Sequence, residues 1–360
     1  MKRPGLPAEG QAFTKKSMNI LITGGAGFIG VHTADYYLSK GNKITIFDNF
    51  SRKGTEENVK WLKQKYGTKK MAVVRGDIRH FNILKRSIPG HDVVIHLAGQ
   101  VAVTTSVANP REDFEINALG TFNVLEAIRL FSPDSILLFA STNKVYGGME
   151  QIKIIKGNNR YKYRDLPDGI PETQNLDFHS PYGCSKGAAD QYIRDYHRIY
   201  GLKTVVFRQS CIYGHMQLGI EDQGWVSWFT IAAVLGKPIT VYGDGMQVRD
   251  VLFVEDLIKA YDLAIQYIKV AAGQIYNVGG GPKFTLSLLE LLDLLEKKLG
   301  KKIPFTFADW RPGDQPVYIS NIAKIKKNLG WGPKIDVQEG TSQMIDWIVK
   351  EKDLIEKALR

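Results

Sequence analysis

Along the first two-thirds of the chain, short apolar runs alternate with longer amphipathic stretches. The runs are "NILIT" (19–23), "KITIFD" (43–48), "MAVVRGD" (71–77), "DVVIHLA" (92–98), "SILLFAS" (135–141) and "KTVVFRQS" (203–210), each nearly continuous in aliphatic and β-branched residues. Strands covered by helices on both faces read this way, whereas a strand with one wet face alternates. The pattern predicts an α/β domain with a doubly wound parallel sheet.

Between Ser106 and Arg129, the residues Phe114, Ala118, Phe122, Leu125 and Ile128 recur at helical spacing. Ala189, Tyr192, Ile193 and Tyr196 do the same between 184 and 200. Both stretches are expected to be helices, and the helices 106–129 and 182–200 are placed to join subunits into a homodimer or homotetramer. Beyond residue 210 the alternation loosens into pieces punctuated by Gly and Pro, followed by a helix over 286–299. Residues 18–210 are therefore expected to form the first domain, with 249–280 returning to it. Residues 211–248 and 281–360 are expected to form a smaller α/β substrate-binding domain on the C-terminal side. A polar insertion over 147–178 is long enough to suggest a functional or mobile segment.

Composition narrows the class. Residues 1–17 are rich in Lys, Pro and Gly and read as a disordered tail, with no apolar core of a secretory signal. No apolar run approaches the roughly 20 residues a bilayer span needs, so no membrane partner is expected and cytoplasm is the default location. Two cysteines, Cys184 and Cys211, offer neither a disulfide framework nor metal-ligand spacing, and no metal is expected. The net charge of +11 comes from scattered lysines with no basic face interleaved with aromatics. That favours an anionic ligand over nucleic acid.

A candidate for that ligand's site follows the first run. "ILITGGAGFIGVHTA" sets Gly24, Gly27 and Gly30 between a strand and a helix, where backbone N–H groups and a helix N-terminus can close on a pyrophosphate. Asp48 ends the second run, placed to accept hydrogen bonds from both ribose hydroxyls and to repel a 2′-phosphate. Together they predict a Rossmann-type nucleotide site favouring NAD. Arg52 and Lys53 follow closely and keep NADP open. Asp77, at the end of the third run, is placed for the adenine edge.

In "SPYGCSK", Tyr182 and Lys186 stand one helical turn apart, phenol and ammonium on one face. A nearby cation favours phenolate. With the glycines and Thr142 after the fifth run, this pair resembles the extended short-chain dehydrogenase/reductase family, over nearly the whole chain beyond the tail. The resemblance implies that Tyr182 is the acid/base, that Lys186 lowers its pKa and holds the nicotinamide ribose, and that Thr142 bonds the reacting oxygen. It extends the cofactor site to Phe28, Ile29, Asn49, Ser51, Arg52, Ile78, Leu97, Ala98, Gly99 and Gln100, and implies tightly held NAD.

Relatives that eliminate water carry an Asp–Glu pair after that threonine. Here "STNKVYG" has Asn143 and Lys144, which disfavours dehydration. Longer stretches, above all "LDFHSPYGCSKGAADQY" (176–192), resemble the branch that inverts C2 of CDP-linked 3,6-dideoxyhexoses by transient oxidation to a 2-keto sugar. On that resemblance Asn117 faces the active site, Arg249 and Arg311 grip the diphosphate, and Gln223 and Trp225 receive the nucleotide. Asn143, Gln209 and Val241 complete the CDP-sugar site. His215 and Met216 depart from the Pro–Arg step that relatives carry after "YG". A UDP-sugar 4-epimerase would use the same Tyr182, Lys186 and Thr142. A non-catalytic NAD sensor would need none of them.

Overall fold

The computed structural model describes residues 17–359 except positions 222 and 312; the expected tail over 1–16 lies outside the described residues. Seven parallel strands form the main sheet: β1 (Asn19–Thr23), β2 (Lys43–Asp48), β3 (Met71–Arg75), β4 (Val93–His96), β5 (Ile136–Thr142), β6 (Lys203–Gln209) and β7 (Ile275–Val278). Their spatial order is 3-2-1-4-5-6-7, so the winding reverses between β1 and β4. Ligands bind at such a switch point, beyond the carboxyl ends of the strands.

The continuous apolar runs are explained by two cores. Ile20, Ile22, Ile136, Leu138, Val205 and Phe207 face one side, against helices Phe28–Ser39 and Val254–Gln266. Their neighbours Leu21, Leu137, Phe139 and Val206 face the other, against Gly120–Phe131 and Ser180–Tyr200. Successive side chains alternate across a strand, so a sheet covered on both faces needs apolar residues at every position.

The stretch 106–129 is not one helix. It divides into Val103–Ala108, Pro110–Phe114, a π turn over Glu115–Leu119, and Gly120–Phe131. Pro110 restricts the residue before it, and the Asn109 side chain accepts from the Glu112 N–H at 3.3 Å to start the next helix. The π turn inserts a residue and rotates what precedes it. Phe114 thereby leaves the buried face of Leu125 and Ile128 and is 57% exposed.

The smaller lobe is built on strand Val248–Phe253, which pairs with Cys211–Tyr213, Thr285–Ser287 and Val317–Tyr318. Helices Trp225–Leu235, Leu288–Leu299 and Val337–Lys350 pack over it. Ser287 and Glu290 cap the second of these reciprocally. The insertion 147–178 carries a hairpin of Ile154–Lys156 and Tyr161–Tyr163 and is stitched to both lobes. The Tyr161 N–H donates to Met246 O at 2.9 Å, the Tyr163 hydroxyl to Val317 O at 2.9 Å, and Glu172 accepts from the Asn277 N–H of β7 at 2.8 Å. No helix among the described residues is long and apolar enough to cross a membrane.

Candidate active site

A cavity of about 730 Å³ lies between the strand ends of the main sheet and the smaller lobe. Its cofactor half is lined by Gly24, Gly27, Phe28, Ile29, Gly30, Asp48, Asn49, Ser51, Arg52, Asp77, Ile78, Leu97, Ala98 and Gly99. Gly24 has φ = 68°, a left-handed conformation, and a Cβ there would lie 2.7 Å from the Ala98 nitrogen. Gly27 caps helix Phe28–Ser39 without a side-chain bond, leaving the helix's first N–H groups toward the cavity. Gly30 packs so closely that a Cβ would strike the Gly24 carbonyl. The turn is thus a backbone cradle shaped for phosphates.

Asp48 holds the cradle's edge, accepting from the Ala26 N–H at 3.0 Å and the Phe50 N–H at 2.8 Å. Burial raises its carboxyl pKa, and those two bonds oppose the rise. Asp77 accepts from Arg79 at 2.8 Å and Asn49 at 3.0 Å. Despite partial burial, these bonds hold its carboxyl well below the usual range. Arg52 reaches across the cleft from the cofactor side to the Gln223 side-chain oxygen at 2.8 Å.

Thr142 ends β5 and accepts the Lys144 N–H at 3.2 Å, starting the short turn Asn143–Tyr146. It lines the cavity with the Tyr182 phenol, near enough for its hydroxyl to favour the phenolate. The Tyr182 N–H donates to Ser106 Oγ at 3.2 Å, which seats the start of helix Ser180–Tyr200. Burial pushes the phenol up to about 12; Thr142 and the charge of Arg52 pull it down, and Asp113 pushes it up. Lys186 donates to the Ala140 carbonyl at 2.7 Å and lies 4.2 Å from the centre of the Phe139 ring. Burial lowers its pKa to about 7, with Asp190 and Asp113 opposing. In this arrangement Lys186 is bonded to the end of β5 rather than to the phenol. Thr142 and the charge of Arg52 pull the phenol's pKa down.

The substrate half brings Asn143, Gln209, Gln223, Trp225, Arg249 and Arg311 to the same cavity. Three residues expected at the site do not line it. Val241 is fully buried because side chains alternate along strand Ile239–Tyr242, and its neighbours Thr240 and Tyr242 face the cavity. Asn117 is consumed by structure: it accepts the Gln100 N–H at 2.9 Å and donates to Gln100 O and to Asp113, each at 3.0 Å. Gln100 is held by those bonds, and its side chain turns to Ala102. The pair acts at one remove, fixing the loop that presents Gly99.

Lining residues that the sequence reading did not assign to the site include Lys144, read there only as the lack of an acid, and Gln217, Glu221, Tyr242, Gln247 and Asp314. Arg311 stacks 3.8 Å from the centre of the Tyr242 ring and donates to Glu221 O at 3.0 Å. His215 and Met216 do not line the cavity. The His215 carbonyl takes a bond from the His32 ring at 2.8 Å, and burial lowers His32 to about 3, so that ring is neutral. Among the described residues no cluster of His, Cys, Asp or Glu is arranged to hold a metal ion.

Comparison with known proteins places this geometry in context. The chain is 47% identical to the CDP-paratose 2-epimerase of Salmonella typhi over 92% of this chain and 99% of that protein. Its fold superposes on the UDP-glucose 4-epimerase of Thermotoga maritima, solved with UDP-glucose, with a TM-score of 0.80, 29% identity, and coverage of 93% of this chain and 100% of that one. The dTDP-glucose 4,6-dehydratase DesIV of Streptomyces venezuelae, solved with NAD and TYD, gives a TM-score of 0.80 at 26% identity, covering 95% of this chain and all of that one. A profile described as GDP-mannose 4,6 dehydratase matches residues 21–344, and the chain belongs to that family of extended short-chain dehydrogenases/reductases.

Proposed function

We propose that this protein is an NAD-dependent epimerase that inverts C2 of a CDP-linked 3,6-dideoxyhexose, converting CDP-paratose to CDP-tyvelose. The observation that carries the reading is the Thr142–Tyr182 hydroxyl pair opening onto the same cavity as the glycine cradle, with no carboxylic acid at 143 or 144. The 47% identity to an enzyme of that name, over nearly its full length, supports the choice of substrate.

The cradle fits NAD: Gly24, Gly27 and the open helix N-terminus would hold the pyrophosphate, and Asp48 the adenosine ribose. Bound there, NAD would accept a hydride from the sugar and later return it. C2–H in such a sugar has no neighbouring carbonyl to acidify it, so oxidation at C2 replaces direct deprotonation. Tyr182 takes the proton of the C2 hydroxyl and Thr142 donates to the carbonyl oxygen that results. The same phenol returns the proton once the 2-keto sugar has turned its other face. Neither Asn143 nor Lys144 supplies the carboxylic acid that eliminating relatives place there for a leaving hydroxyl, so the sugar is taken to keep its oxygens. Arg52, bonded to Gln223 over the cavity, would cover the cofactor and favour its retention across a cycle with no net redox change.

Protein purified without added nucleotide is expected to carry NAD and to interconvert CDP-paratose and CDP-tyvelose unaided. NMR analysis of a panel of CDP-, UDP- and dTDP-sugars checks this. Inversion of UDP-glucose at C4, with CDP-sugars inert, would replace the reading by a UDP-sugar 4-epimerase.

The expected homodimer or homotetramer has a candidate surface. Phe122 lies against Tyr192 with ring centres 5.7 Å apart, Tyr192 is 50% exposed, and ring contacts continue through Tyr196 to exposed Tyr200. Contiguous exposed aromatics of this kind mark association surfaces. A Phe122→Glu/Tyr192→Glu variant is expected to be monomeric by light scattering while the native chain is not. A monomeric native chain would refute the assignment.

A further inference from the structure

Lys144 occupies the turn directly after Thr142, lines the cavity, and has no part in the chemistry above. Its ammonium donates to Gly313 O at 3.1 Å and lies 3.9 Å from an oxygen of Asp314. Arg249, on strand Val248–Phe253, approaches the same Asp314 oxygen at 3.7 Å and gives another N–H to Val248 O at 2.9 Å. Two cations thus share one carboxylate at long range, each lining the cavity and each with more donors than these contacts use. An ammonium and a guanidinium in that relation suit a phosphate better than they suit each other.

The place of this pair matters, because C2 of a pyranose adjoins the anomeric carbon that bears the diphosphate, whereas C4 lies across the ring. With C2 at the Thr142 and Tyr182 hydroxyls, the sugar-side phosphate must sit beside those hydroxyls. With C4 there, it would sit a ring's width away. Lys144 is two residues from Thr142 and bonded to its hydroxyl through the backbone. We propose that Lys144, together with Arg249, grips the sugar-side phosphate of the nucleotide sugar and so sets the carbon next to the anomeric centre against Thr142 and Tyr182. The inference rests on the C2 reading and makes Lys144 a specificity-determining residue at the position where eliminating relatives carry an acid.

The ligand-free site supports this electrostatically. Burial first, and then the charge of Arg249, lower the Lys144 pKa to about 8, with Asp314 and Cys211 opposing. Those three groups are the titratable and charged neighbours that act on it. A bound phosphate adds negative charge and raises the pKa of the complex. A group raised on binding contributes affinity that is complete below its free pKa, near 8, and fades as pH rises through the higher pKa of the complex.

The test compares CDP with CMP, which lacks the sugar-side phosphate, by calorimetry on the NAD-containing protein. Lys144→Met is expected to weaken CDP about 10- to 100-fold and leave CMP unchanged, the retained CMP affinity showing an intact fold. At pH 8.5 the native protein is expected to take up protons on binding CDP, seen as a dependence of enthalpy on the buffer, and Lys144→Met is not. Lys144→Arg should recover most of the CDP affinity. Equal weakening of CDP and CMP, or none, would overturn the grip. If the native protein binds UDP and UMP instead, the same comparison with those ligands still decides the grip, while the CDP-sugar reading falls by itself. The positioning role is overturned if CDP weakens but kcat/KM for C2 inversion does not.

Discussion

Tyr182→Phe is expected to lower kcat for epimerisation by about 10²- to 10⁴-fold, the range lost when a positioned acid/base is removed. The substitution deletes one oxygen from a buried ring. The Tyr182 N–H bond to Ser106 is a backbone bond and survives, so the helix start should be unmoved. Retention of NAD and the unfolding midpoint should therefore match the native protein, which separates loss of chemistry from loss of structure. A pH profile adds a sign. In the ligand-free site burial holds the phenol at about 12, with Thr142 and Arg52 pulling the other way. The positive charge of bound NAD⁺ would pull in the same sense as Arg52. The active base is the deprotonated form, so native kcat is expected to rise with pH toward the working pKa of the phenol. The residual rate of Tyr182→Phe should lack that rise. If the variant kept it, the titrating group would be another, with Lys186, lowered to about 7, as the candidate.

What could be read in the chain beforehand follows the strength of each local signal. β1 and β2 coincide with the runs 19–23 and 43–48, because strands buried on both faces leave an unbroken apolar signature with sharp ends. β7, "IYNV", escaped individual notice: four residues in a Gly-rich region carry too little pattern, and only its pairing with β6 makes it a strand. The glycine cradle and the Tyr182–Lys186 pair were legible because each lies within one local element. The substrate half was less so, since it assembles residues distant in the chain. Val241 shows the limit: the resemblance put it at the site, but along strand Ile239–Tyr242 one position decides which face a side chain takes. Asn117 shows another: a buried amide serves a ligand and a loop equally well, and its bonds to Gln100 and Asp113 decide for the loop. Lys144 was visible only as a missing acid, and its pairing with Arg249 through Asp314 required the fold.

The largest stability loss is expected at Asp190, a residue outside the cavity. Asp190 and Arg208 are 0% and 2% exposed at their side chains and form a two-pronged pair, 3.0 Å from Nε and 2.9 Å from Nη2. Ser141 donates to Asp190 at 2.7 Å, Arg208 donates to the Tyr146 hydroxyl at 3.1 Å, and that hydroxyl donates to Asn277 at 2.7 Å. Asp190→Asn leaves a guanidinium buried without its counter-charge, which costs about 3–5 kcal/mol in urea unfolding. Such a pair need not stabilise relative to an apolar replacement, so Asp190→Leu/Arg208→Met should recover much of that loss. The network ties together the end of β5 next to Thr142, the helix turn after Lys186, and β7. Asp190 is also one of two carboxylates that help Lys186 keep its proton. The double variant is therefore expected to fold but to lose kcat, with the Lys186 pKa falling further. A double variant that regained both stability and full kcat would show that the pair serves the fold alone.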